Sequence, residues 1–134
     1  MPREIFQREL NHLVEEVVEL GQEVESCLGT MAEALEKHDH ETARQELGID
    51  SRYKERGVEI DEECMILQAR QAPVASDLRL IYTVQAVTNH LVRAGTLCEH
   101  ICRAIVETAG CDRDPDLETT LSEMAHAARN LPAH

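Results

Sequence analysis

Residues Gln68–Gly95 read QARQAPVASDLRLIYTVQAVTNHLVRAG, and this stretch decides the fold. It joins two long helical patterns across one proline. Upstream, Ile60, Cys64 and Leu67 recur at four- and three-residue steps. Downstream, Ile81, Val84, Thr88, Leu91, Gly95 and Cys98 do the same. Both runs have the period of a helix that buries one face. Pro73 has no amide proton and crowds the turn before it, so it ends the first helix or opens the second. Asp77 falls in the first turn after the proline, where a carboxylate favours the positive end of a helix dipole. Arg79 follows two residues on, able to pair with an acid or a carbonyl.

Working outward, residues 3–37 carry the longest pattern. Phe6, Leu10, Leu13, Val17, Leu20, Val24, Cys27, Met31 and Ala34 alternate steps of four and three. That period matches bundle or coiled-coil packing, and the helix needs partners of similar length. Lys37-His38-Asp39-His40 breaks the pattern, and Asp39 is a candidate N-cap for a second helix running to about Ala69. The second seam reads Ala43, Leu47, Asp50, Tyr53 or Lys54, Gly57, Ile60, Cys64 and Leu67. A third helix runs from about Val74 to Thr108, with Gly110 as its C′ residue. A short fourth helix, capped by Asp114 with Pro115 at its first position, has the seam Leu117, Leu121, Met124, Ala128 and Leu131.

The expected fold is therefore all-α: an antiparallel bundle of three long helices plus a short fourth. Residues 1–110 form the three-helix bundle. Residues 111–134 form a linker and the fourth helix, either the start of a second repeat or an oligomerisation element.

Composition agrees. The apolar fraction is 43%, yet the aromatics are only Phe6, Tyr53 and Tyr82, so Leu, Val, Ile and Ala supply the core and a sheet is disfavoured. The net charge of −13 repels phosphate backbones and anionic bilayers, which points away from nucleic acid and from membrane docking and towards basic protein partners or cations. Five cysteines (27, 64, 98, 102 and 111) are an odd number without CxxC spacing. With no secretory pattern at Met1-Pro2-Arg3 and no apolar run of about 20 residues, the chain reads as cytoplasmic with reduced thiols.

Gln71-Ala72-Pro73-Val74-Ala75-Ser76-Asp77-Leu78-Arg79-Leu80-Ile81, after a long acidic helix with a late cysteine, resembles the inter-helix signature of the PhoU family of phosphate-uptake regulators. The resemblance spans roughly residues 4–107, one repeat of the family's two. It implies a non-enzymatic adaptor between a phosphate ABC transporter and a sensor histidine kinase, damping the phosphate-starvation response. It also implies metal sites built from acid pairs four residues apart on helices two and three, a spacing that puts both carboxylates on one helix face. Those positions are 50, 54, 92 and 96, the latter two within the family pattern Leu-Glu-Arg-Ile-Gly-Asp. This chain holds Asp50 but Lys54, Val92 and Thr96, while Leu91, Arg93 and Gly95 keep the register. Only Asp50 remains as a candidate metal ligand, with Lys54 as its charge partner, and no cofactor is expected. Asp77, Arg79 and Arg93 are the candidate structural or interaction residues.

Other chemistry is weaker. Cys98 and Cys102, near Glu99 and His100, have zinc-compatible spacing, but both continue the inward stripe, where cysteine packs as a small apolar residue. Glu9-x-x-His12 and Glu123-x-x-His126 imitate di-iron motifs, yet both histidines face away from the seams. There is no nucleophile elbow, phosphate loop or dinucleotide glycine run, so an enzyme is not expected. A chain with one repeat leaves an apolar face uncovered, which predicts a homodimer. The rival readings are a metal-binding or di-iron bundle, and a helical scaffold or dimerisation module without a phosphate link.

Overall fold

In the computed structural model, which describes residues 3–70, 74–110 and 115–130, the chain is all-helical, with no strand among the described residues. Among the described residues five helices follow in order: α1 (Arg3–Lys37), α2 (His40–Gln45), α3 (Ile49–Arg70), α4 (Ala75–Glu107) and α5 (Pro115–Asn130). They distribute over two compact units. One comprises residues 1–22 and 51–93, the other residues 23–50 and 94–134. The Pro73 junction, the Asp114 cap, Cys111 and Leu131 lie outside the described residues.

All nine residues of the first seam, Phe6 to Ala34, are buried. In the first unit, Phe6, Leu10, Leu13, Val17 and Leu20 of α1 share the interior with Tyr53, Ile60, Cys64 and Leu67 of α3 and Ile81, Val84 and Thr88 of α4. Tyr53, not Lys54, takes the inward position of α3. Thr88 is tolerable inside because its hydroxyl donates to the Val84 carbonyl one turn back, at 2.7 Å. Ion pairs Arg70–Glu9 (3.4 Å) and Arg56–Glu19 (3.6 Å) set α3 antiparallel to α1. Arg3–Asp77 (2.6 Å) places the start of α4 beside the start of α1, so these two run parallel.

The backbone of α4 approaches α3 closely at Gly57. A Cβ there would lie 2.7 Å from Cγ2 of Val92. Alanine at 57 gains helix propensity worth about 1 kcal/mol but meets a stiff β-branched neighbour, and overpacking costs roughly 1–3 kcal/mol. Gly57→Ala is expected to destabilise the chain, and the same change in a Val92→Ala background to stabilise it. Urea midpoints of the four proteins check this: additive effects would mean that the two sites do not meet.

In the second unit, Val24, Cys27, Met31 and Ala34 of α1 are buried, as are Ala43 of α2, Cys98, Cys102 and Ile105 of α4, and Ala125 of α5. His38, at φ 55°, ends α1 in the left-handed region, and the Asp39 N–H reaches back to the Ala34 carbonyl. The Asp39 carboxylate then caps α2 by accepting from the Thr42 N–H (3.1 Å) and hydroxyl (2.6 Å). The Thr42 bonds hold the Asp39 carboxyl below its usual range. The imidazole of His38 contacts the Glu118 carboxylate of α5.

Two expectations need correcting. The second helix is not continuous from Asp39 to Ala69; it is broken at residues 46–48 into α2 and α3. Gly48 adopts φ 88°, and its N–H is received by both oxygens of the buried Glu99 carboxylate, at 2.9 and 2.8 Å. A left-handed glycine with a charged acceptor for its amide interrupts the helical hydrogen-bond ladder, and Leu47 is left exposed. In α5, Met124 is exposed and Ala125 is buried, so at that turn the inward position is 125 and not 124.

Candidate functional site

The residues expected from the resemblance lie on α3 and α4. Asp50 sits, half-buried, in the first turn of α3, and Lys54 is exposed one turn on. Val92 fills the space over Gly57, and Thr96 is half-buried further along α4. Asp77 is buried, and its carboxylate receives Arg3 Nη1 at 2.6 Å, while the Arg3 guanidinium also lies 5.7 Å from the Phe6 ring centroid. That contact joins the start of α4 to the start of α1 and adds a partner to the dipole argument made for Asp77. Arg79 and Arg93 are exposed.

The cysteines of the interior are free thiols. Burial pushes Cys64 and Cys102 up to about 12, and Cys98 is raised too, first by its hydrogen bond with Cys27 and then by burial. Thiolate is the metal-binding and nucleophilic form, so thiols held protonated serve as core. The Cys102 sulfur lies 2.8 Å from that of Met31.

A set of side chains that the spacing did not single out comes together in the first unit. His12 and Glu16 lie one turn apart on α1, beside the buried seam, and His12 Nε2 is 2.7 Å from Glu16 Oε1. Glu63 of α3 arrives from the antiparallel helix next to the buried Cys64, and one ligand atom from each of His12, Glu16 and Glu63 lies within 4.8 Å of the others. The Glu16 side chain is only 13% exposed. The neighbouring groove, about 490 Å³, is lined by His12, Glu63, Arg8, Ile66, Leu67 and the Glu9–Arg70 pair. The motif singled out from sequence was Glu9-x-x-His12. The pairing that forms is His12 with Glu16, a four-residue step that was legible, whereas Glu63 depends on how α3 lies against α1.

Desolvation raises the Glu63 carboxyl above its ordinary range, and a hydrogen bond with Glu16 and that residue's charge add to the shift. A carboxyl raised in the folded state binds more protons there than when unfolded, so its contribution favours folding as pH falls towards 4.5 and opposes folding as pH rises through the raised value. Glu63→Gln is expected to remove that penalty. Urea midpoints of wild type and variant should converge near pH 4.5 and separate, with the variant more stable, near pH 7. A constant gap across this range would refute the coupling.

No helix among the described residues is long and apolar enough to cross a membrane. A family model for the PhoU domain matches residues 17–105. The chain is 31% identical over 126 residues to the phosphate-specific transport system accessory protein PhoU of Serratia marcescens, covering 94% of this chain and 52% of that protein. It is 29% identical to the Escherichia coli K12 protein of the same name, with the same coverage. A PhoU homolog of Clostridium acetobutylicum is 30% identical over 132 residues, 98% of this chain and 60% of that one. No solved structure matches the chain. It thus spans about half the length of the first two relatives. The match takes in the second half of the α1 seam, the Gly48 break, the closely packed Gly57 and most of α4, and on that ground the chain belongs to the PhoU family.

Proposed function

We propose that this chain regulates phosphate uptake as a non-enzymatic cytoplasmic adaptor. In this reading its helix faces contact a phosphate ABC transporter and a sensor histidine kinase and damp the phosphate-starvation response. The observation that carries the reading is the PhoU-domain match over residues 17–105, together with relatives named as accessory proteins of phosphate-specific transport. Long rigid helices suit this work because they present extended faces without moving parts. The test is binding of the purified chain to the transporter's cytoplasmic ATPase subunit and to the kinase's cytoplasmic portion. Saturable binding to either supports the adaptor, and no binding to both overturns it.

The partner we assign to its own apolar surface is a second copy. The exposed apolar side chains of the first unit support this assignment. In the first unit, Met65 and Tyr82 are 63% and 72% exposed and flank one groove with Ala86 and His90. Large apolar side chains grouped on a surface mark an interface. Sedimentation of wild type as a dimer, with Tyr82→Glu shifted to monomer, supports this; wild type that stays monomeric at high concentration refutes it.

A further inference from the structure

We propose that His12, Glu16 and Glu63 hold a divalent first-row cation, of the zinc or manganese class, between α1 and α3. This site uses none of positions 50, 54, 92 and 96 and does not depend on the adaptor reading. The donor set is mixed: one imidazole nitrogen and two carboxylates, with one ligand atom from each already within 4.8 Å of the others. Imidazole with carboxylate suits first-row divalent metals, whereas calcium and magnesium favour oxygen alone.

Three features of the fold favour a cation here. First, the ligands come from two antiparallel helices fixed by the Arg70–Glu9 and Arg56–Glu19 pairs on either side, so the site needs no ordering of a loop. Second, the Glu16 side chain is largely buried, and one of its carboxylate oxygens lies within 4.8 Å of one of Glu63. Two ionised carboxylates in contact repel each other, and a cation seated between them turns that repulsion into attraction. Third, the groove beside His12 and Glu63 leaves the remaining coordination positions open to water. Ligand atoms bonded at about 2.1 Å to a tetrahedral metal stand roughly 3.4 Å apart, so side-chain rotation has to draw the set together.

The experiment is calorimetric titration of the purified chain with zinc chloride, and separately with manganese chloride. The variants are His12→Ala, Glu63→Gln and, as a control, Glu62→Gln, whose exposed acid lies outside the set. Wild type and the Glu62→Gln control are expected to bind one equivalent with equal affinity. His12→Ala and Glu63→Gln are each expected to weaken binding by at least about tenfold, while circular dichroism without metal stays that of wild type. Cobalt substitution supplies a second readout: its visible bands should change in His12→Ala, which removes the nitrogen donor. Equal affinities across all four proteins would place the metal on general surface acids and overturn the proposal, as would the lack of any saturable binding to wild type.

Discussion

Replacing Glu99 by alanine is expected to lower the stability of the chain by about 2 kcal/mol. Both carboxylate oxygens accept the Gly48 N–H, and the side chain is almost wholly buried. A hydrogen bond to a charged group contributes about 1.5–3 kcal/mol, and because Gly48 is itself exposed, water can take over part of it in the variant. The Arg103 pair adds little, since that guanidinium is 60% exposed. Glu99→Gln keeps one oxygen acceptor and should lose less than half as much. Urea unfolding gives the sizes, and amide exchange at Gly48 gives the place: its protection should fall in Glu99→Ala. A loss below about 1 kcal/mol would mean that the break between α2 and α3 holds without this carboxylate.

Phe6→Ala is the other large effect, expected at about 3–5 kcal/mol, the usual cost of truncating a fully buried aromatic side chain. Phe6 is the chain's single phenylalanine, is 0% exposed, and carries the Arg3 guanidinium over its ring. Its removal leaves a hole at the end of the first unit, where Arg3 also holds Asp77. Tyr82→Ala is the comparison, because that ring is 72% exposed, and its cost to an isolated protomer should be within about 0.5 kcal/mol. Near-equal losses would show that Phe6 does not fill the interior.

The two predictions differ in how far the sequence announces them. The burial of Phe6 follows from periodicity alone, as does that of the other eight residues of its seam, because one long helix with an uninterrupted step of 3.5 fixes its own inward face. The role of Glu99 does not. Its partner Gly48 is 51 residues away, and a glycine within a helical pattern reads as a tolerated cost until its φ is known. Asp77 is intermediate: its place in the first turn of α4 was legible, whereas its ion pair with Arg3, across 74 residues, was not. Of the candidate cation set, His12 and Glu16 show their spacing, but Glu63 is one of many acids on an acidic helix. Only the antiparallel docking of α3 on α1 singles it out. Met124 was misplaced because a helix as short as α5 has few turns from which to fix its phase.

The closeness of Gly57 and Val92 bears on attempts to graft carboxylates into this scaffold. Writing glutamate at 92 to rebuild a four-acid cluster would trade a compact branched hydrocarbon, nested where a neighbour has no side chain, for a longer ionised one. The glycine and the valine form a complementary pair, so a designer must revise both at once or accept that the two helices spread apart.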